Sequence, residues 1–316
     1  MRPSVQMALG AAGALAMATV PWWGSAVLIQ YGINALILAT LAQSWNIIGG
    51  YTGYPSFGNS VFYGLGAYGT AIAMAHFHLP FAAGLALGAA LAVSFSLVLG
   101  LPVLRLRGHY FAIATLGLAE VMTAIVSNLG IAGRNVGLVL PLLRGDALFF
   151  ELALGLLLCA TLTVAWLSRS RFGFGLIAIR ENEEAATAMG IDTTRYKALA
   201  FALCSVFAAL AGGIHAYWIT YLDPDSAFDI ALNVKMIIMA VLGGPGTVFG
   251  PVLGALLLSG ISEVLASRIT SLASLFFGVV IVVAIVFMPR GLADLILRFR
   301  EAGWRYFRDN VRAHRL

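Results

Sequence analysis

Residues 25–59 read SAVLIQYGINALILATLAQSWNIIGGYTGYPSFGN. From 25 to 48 the stretch holds no Asp, Glu, Lys or Arg. It exceeds the about 20 apolar residues that cross a bilayer as a helix. It then breaks at Gly49-Gly50, passes Gly53, Pro55 and Gly58, and reaches Asn59 before the next apolar run. A charge-free helix, a glycine-rich break and a second apolar run form the pattern of a chain that lives in lipid.

The rest of the chain follows that pattern. Of 316 residues, 60% are apolar and 10% charged. Mean hydropathy is +0.92. Soluble domains carry about 45–50% apolar and about 25% charged residues. The balance excludes a soluble enzyme, a disordered chain and a nucleic-acid-binding domain. Apolar runs occupy about 5–22, 25–48, 60–77, 81–101, 108–128, 147–167, 198–220, 230–243, 251–266 and 269–288. The expected fold is all-α, a polytopic transmembrane helix bundle of about ten spans. Eight is the lower bound, because the first run is weak and 230–243 is short. Cys159 and Cys204 lie inside apolar runs and read as small packing residues, with no disulfide framework.

Lys and Arg orient the bundle. With a cytoplasmic N-terminus, 15 of the 19 basic residues fall inside and three outside, Arg134, Arg144 and Arg268. Cytoplasmic loops carry this excess. The expectation is a multi-pass membrane protein with both termini cytoplasmic. A membrane domain spans 1–290, and its longest interior loop is 168–197. The tail 291–316 is basic, with helical spacing of Leu292, Leu295, Ile296, Phe299, Phe307 and Val311. It reads as an amphipathic segment lying on lipid. The longest exterior loop, 129–146, holds Gly130, Gly133, Gly137 and Pro141 and is expected to be irregular.

A second break, Gly243-Gly244-Pro245-Gly246-Thr247-Val248-Phe249-Gly250-Pro251, echoes the first. Both follow an apolar run, open with Gly-Gly and contain Phe-Gly. Allowing a one-residue gap, they match as an internal repeat. Non-helical backbone at membrane depth must be buried in protein or line a wet cavity, and paired broken segments point to a transport path. Gly50, Gly53, Ser56, Gly58, Asn59, Gly243, Gly244 and Gly246 are therefore candidates for that path. Elsewhere Gly64, Ala67, Gly69 and Ala73 in one span, and Gly84, Gly88 and Ala92 in the next, mark tight helix packing.

Ionisable residues inside spans are costly and mark function. Glu120 and Lys235 are the main candidates, either paired with each other or facing a wet path. Glu263 lies nearer a helix end. In the interior loop, Leu176 to Met189 has high helix propensity. Leu176, Ile177, Ile179, Ala185, Ala186 and Met189 form an apolar side, and Gly190 stops the helix. Such a helix fits a groove of a soluble partner. No nucleophile elbow, His-Glu-x-x-His or metal-ligand spacing is present, so neither an enzyme nor a metal protein is expected.

These residues resemble a family. Glu184-Ala185-Ala186, three residues and Gly190 are similar to the EAA loop of permease subunits in bacterial ABC importers. Gly50-Tyr51-Thr52-Gly53, Ser56-Phe57-Gly58, Leu104-Arg105-Leu106-Arg107-Gly108-His109-Tyr110-Phe111, Val241-Leu242-Gly243-Gly244-Pro245-Gly246 and Pro289-Arg290-Gly291-Leu292 resemble blocks of the M-type permease of branched-chain (hydrophobic) amino acid importers. The resemblance covers about 33–292. Asn59, Tyr54-Pro55 and Lys235 depart from the family pattern.

The resemblance implies a place in the bacterial inner (cytoplasmic) membrane and a pairing with a second, H-type permease chain. It implies two ABC ATPase subunits that carry ATP and Mg, and a periplasmic or lipid-anchored substrate-binding protein. Arg180, Glu181, Glu184, Ala185, Ala186 and Gly190 would form the ATPase-coupling loop. This chain has no phosphate-binding loop of its own and would bind no cofactor. Relatives of this type also serve urea, amides and aromatic carboxylates. An ion-coupled secondary transporter using Glu120 and a non-transporting membrane scaffold are the alternatives from other classes.

Overall fold

The computed structural model describes residue 13 and residues 16–266, apart from 99, 107 and 142–144. Most of the first expected span at 5–22, the last at 269–288, Arg107 and the tail 291–316 lie outside the described residues.

Ten helices carry the fold: α1 Ala26–Trp45, α2 Asn59–Ala75, α3 Phe81–Val98, α4 His109–Asn128, α5 Asp146–Leu167, α6 Arg171–Glu181, α7 Glu183–Ala188, α8 Thr193–Ile219, α9 Ile230–Gly243 and α10 Gly250–Ala266. Single turns at Val20–Trp23, Gly100–Val103 and Pro224–Ala227 link them. Six stretches are long and apolar enough to cross a membrane: 26–50, 81–98, 109–128, 146–167, 193–219 and 224–243. The expectation of ten spans therefore has six counterparts among the described residues. Helices α2 and α10 are apolar but reach only 17 residues each.

Helix α2 is the centre of the bundle, with nearly every side chain buried. Its neighbours are α3 and α8. Sequence makes this possible, because small residues line the seams. A Cβ on Gly66 would collide with the Ala209 backbone of α8, and one on Gly212 with the backbone of Tyr63. On the α3 side, a Cβ on Gly69 would stand 2.6 Å from the Gly88 Cα. Lipid supplies no hydrophobic drive between helices, so close backbone approach must do the work. Gly64, expected in a helix seam, instead faces the Phe228 ring. Around this centre α1 packs on α5, α8, α9 and α10.

Helix ends are capped as the sequence permits. Ser25 accepts from Leu28 N, Ser170 from Gly173 N, and Asp192 from Arg195 N. These side-chain oxygens satisfy N–H groups that have no intrahelical acceptor.

The bundle is mostly helical, as expected, with one two-residue ribbon that pairs β1 (Leu138–Val139) with β2 (Tyr221–Leu222), antiparallel. The loop 129–146 is irregular, holding this strand and two 3-10 turns, Gly130–Ala132 and Arg134–Val136. One expectation needs correction: the single loop helix over 176–189 is two helices. Asn182 is extended, with φ −162° and ψ 110°, and its side chain caps α7 by accepting from Ala185 N. Asn and Asp favour this capping role over a helix interior. The break rotates α7, so Leu176, Ile179 and Ala186 are buried while Ala185 and Met189 point outward.

Candidate functional site

The two glycine breaks meet at one end of the bundle, beside the loop helices. Helix α1 passes into a π turn at Asn46–Gly50. Such turns leave carbonyls without their regular donors. The Gly50 carbonyl cannot accept from Pro55, which has no N–H, and the Tyr54 N–H goes to the Thr52 hydroxyl. Arg180, near the end of α6, fills the gap: Nη1 donates to Gly50 O at 3.0 Å. Gly53, with φ +73°, lets the chain turn against the Arg180 stem, where a Cβ would stand 2.8 Å from Cγ. Few other residues adopt that backbone conformation without strain.

Asn46 holds the second break. Its Oδ1 accepts from Gly246 N at 2.7 Å and its Nδ2 donates to Thr247 O at 2.9 Å. One turn earlier Gln43 Nε2 donates to Val248 O at 2.8 Å. A Cβ on Gly50 would meet Gly246 N at 2.5 Å, and one on Gly246 would meet Arg180 Nη1 at 2.8 Å. Gly244 ends α9 with φ +117°, and a Cβ on Gly243 would collide with the Gly250 backbone. The structure therefore gathers Gly50, Gly53, Gly243, Gly244, Gly246 and Arg180 into one junction. Both breaks and the loop meet there.

A second contact ties the loop to the bundle. Glu183, the first residue of α7, forms an ion pair with Lys197 of α8 at 2.7 Å. Lys197 is 3% exposed. Its ammonium also donates to Tyr54 OH at 3.0 Å and Leu104 O at 3.1 Å, and lies 4.4 Å from the Tyr54 ring centre. The Tyr54 hydroxyl donates in turn to Glu183. Burial pushes the Glu183 carboxyl up. Hydrogen bonds from Lys197, Tyr54 and Thr193, with the Lys197 charge, outweigh this and hold it below its ordinary value.

The remaining candidates are placed apart. Ser56 is buried, and its carbonyl accepts from Trp45 Nε1 at 2.8 Å. Gly58 abuts Thr115 of α4. Asn59 is buried and its Nδ2 donates to Cys204 Sγ at 3.1 Å, while its Oδ1 finds no partner among the described residues. Cys204 packs in the core as expected, whereas Cys159 faces outward on α5. Glu120 lies on the exposed side of α4. Lys235, partly buried on α9, lines a cleft between α1, α9 and α10. In the loop, Glu181 pairs with Arg180 at 2.9 Å and is largely exposed. Glu184 and Ala185 are exposed, and Ala186 is buried. Gly190 takes φ +86° with open space around it, as a helix stop requires.

Sequence reasoning missed Gln43, Asn46, Tyr54, Glu183 and Lys197. Gln43 and Asn46 carried a signal: two amides three residues apart, hence on one face, in an otherwise apolar span. Tyr54 was visible only as a departure from the family pattern. Its role in the lock depends on Glu183 and Lys197, which are more than 100 residues away in the chain.

Comparison with known proteins bears on this geometry. The profile of the family described as branched-chain amino acid transport system, permease component, matches residues 27–285. The high-affinity branched-chain amino acid transport system permease protein LivM of Salmonella typhimurium is 29% identical over 299 residues, covering 84% of this chain and 70% of that protein. LivM of Escherichia coli is 28% identical over 307 residues, covering 87% and 72%. The autoinducer 2 import system permease protein LsrC of Yersinia pestis is 31% identical over 205 residues, covering 58% and 57%. No solved structure matches the chain. The match spans α1 to α10, both glycine breaks and the loop they hold, and this chain belongs to the family of permease components of branched-chain amino acid transport systems.

Proposed function

We propose that the chain is the membrane-spanning permease subunit of an ATP-driven importer for branched-chain and other hydrophobic amino acids. The observation that carries the mechanism is Arg180. One guanidinium, at the end of a loop helix, touches the backbone of the first glycine break and abuts the second. A push on the loop thus reaches both broken segments directly.

In this reading the loop 168–197 is cytoplasmic and docks on an ABC ATPase subunit. The exposed surface of α7, with Glu184, Ala185 and Met189, is the docking side. The Glu183–Lys197 pair keeps α7 rigid against α8, so movement passes on instead of being absorbed. Two ATPase subunits carry ATP and Mg, and this chain carries neither. A second, H-type permease chain completes the path, and a substrate-binding protein delivers amino acid from the far side. The membrane domain extends over 1–290 with about ten spans in the bacterial inner membrane, both termini are cytoplasmic, and 291–316 rests on lipid. The two breaks are corresponding parts of an internal repeat.

The test is uptake of labelled leucine by cells lacking the chain and by cells complemented with variants. Glu184→Lys and Gly190→Pro should abolish uptake while the chain still inserts. Normal uptake by both, at wild-type abundance, removes the loop from the mechanism. Gentle purification of the tagged chain should recover a second permease-like chain and ATPase subunits. Recovery of this chain alone, under conditions that preserve other membrane complexes, argues for a secondary transporter instead.

A further inference from the structure

Helix α4 has two unlike sides. Phe111, Thr115, Ala119, Met122 and Val126 recur every three or four residues and are buried against the bundle. On the opposite side Ile113, Gly117, Glu120 and Ala124 recur with the same spacing and are exposed. A Cβ on Gly117 would meet nothing.

Glu120 decides what can cover this outer side. It is the twelfth residue of the 20 in α4, a helix long and apolar enough to cross a membrane. At about 1.5 Å per residue the nearer helix end is about 12 Å away. A carboxylate on two methylenes does not reach water over that distance. No hydrogen bond or ion pair joins Glu120 to another described residue. The spans α3 and α5 differ. Helix α3 carries no charged residue. Helix α5 carries only Asp146 and Glu151, both in its first two turns, within reach of lipid headgroups. Lipid suffices for those helices. An ionisable side chain exposed at mid-span instead faces protein, or a wet path that protein encloses.

We propose that a second, non-identical permease chain packs on this side of α4, around Gly117 and Glu120, and presents a cationic or amide side chain to Glu120 at mid-membrane. The inference rests on the importer reading above and adds the surface and its chemistry. Open space at Gly117, one turn from the charge, lets the partner helix approach closely. The other possible occupants fail on charge. A second copy of this chain would insert with the same topology, so a twofold contact here would set two Glu120 carboxylates face to face at one depth. Like charges so placed disfavour one another. The apolar runs outside the described residues supply no mid-span donor of this kind. The run 269–288 has no charged or amide residue, and 5–22 has only Gln6, near its start.

The test is photocross-linking in the native cell. p-Benzoylphenylalanine replaces Ile113, which is 68% exposed, or, as a control, Leu162 on α5, which is 64% exposed. Irradiation should join position 113 to a second polytopic chain of different sequence, identified by mass spectrometry of the joined peptides. Position 162 should give no such product. Glu120→Leu should lower the yield at 113, per inserted chain, about tenfold. Glu120→Gln should keep most of it, because an amide still bonds the partner. Products joining 113 to another copy of this chain, to its own 269–288 segment or to lipid alone overturn the surface. So does a Glu120→Leu yield equal to that of the unsubstituted chain. If cellular leucine uptake requires the chain while any of these results is found, the importer reading survives and the surface alone fails. If uptake is independent of the chain, that reading fails on its own.

Discussion

The centre of the bundle and its loop end both depend on glycine, but for opposite reasons. At the α2–α3–α8 seams, Gly66, Gly88 and Gly212 matter because a side chain would occupy space that another backbone already fills. The contact is apolar and steric. At the loop end, Gly50 and Gly246 expose backbone groups, and the side-chain amide of Asn46 and the guanidinium of Arg180 bind them. That contact is polar and directional. The first kind of glycine builds a bundle that cannot rearrange cheaply. The second builds a joint whose hydrogen bonds have an alternative in water or in another rotamer. A transporter needs both, and they sit on different helices of the same bundle.

The largest test of this contrast is the lock beside the joint. Glu183→Ala leaves Lys197 buried without its carboxylate. Removing one partner of a buried pair costs about 3–5 kcal/mol. Thermal unfolding in detergent should show that loss, and Lys197→Met added to Glu183→Ala should recover part of it. Losses that simply add in the double variant would mean that the two residues act independently.

At the centre, Gly66→Val forces α2 away from α8. Overpacking of this kind costs about 1–3 kcal/mol, with chain abundance and uptake falling together. The joint should behave differently. Arg180→Ala removes a hydrogen bond from a charged donor, worth about 1.5–3 kcal/mol. Uptake per folded chain should fall far more than abundance does. If abundance and uptake fall in proportion for Arg180→Ala as well, the distinction between seam and joint is lost.

Smaller effects sharpen the picture. Gly190→Ala places a Cβ in a left-handed conformation with ample room, so backbone strain alone acts, at about 1–2 kcal/mol. Fraying of α7, read by hydrogen exchange, should be its main signature. Acid should act on the same helix. The folded-state Glu183 carboxyl titrates below its ordinary value of 4.5. Its stabilisation is thus complete above 4.5 and is lost as pH falls through the lower folded-state value. Exchange in α7 should rise across that window, and Glu183→Gln should flatten the rise. An unchanged pH response in Glu183→Gln would assign the acid sensitivity to another group.

Much of this was legible in the chain itself. The spans at 25–48, 81–101, 108–128 and 147–167 were read within a few residues of α1, α3, α4 and α5, because in lipid a long charge-free run has few folded options other than a helix. Both glycine breaks were placed correctly, as was the stop at Gly190. The loop helix was misread because Leu176 to Met189 has good local propensity throughout, while Asn182 reveals its cap only when the chain turns there. Ala185 and Met189 changed sides for that reason.

Sequence alone determined that the chain is helical and membrane-embedded, where its helices break, and which family it resembles. Those features follow from local chemistry: hydropathy over one bilayer thickness, backbone freedom at glycine, and charge placed in loops. Tertiary structure decided that Gly50 and Gly246 touch, that Arg180 bridges toward both, that Lys197 is buried against Glu183 and Tyr54, and that Lys235 shares a cleft with Glu263. Each of these joins residues far apart in the chain. Spacing along one helix cannot encode such a meeting, because it depends on how whole helices pack against one another.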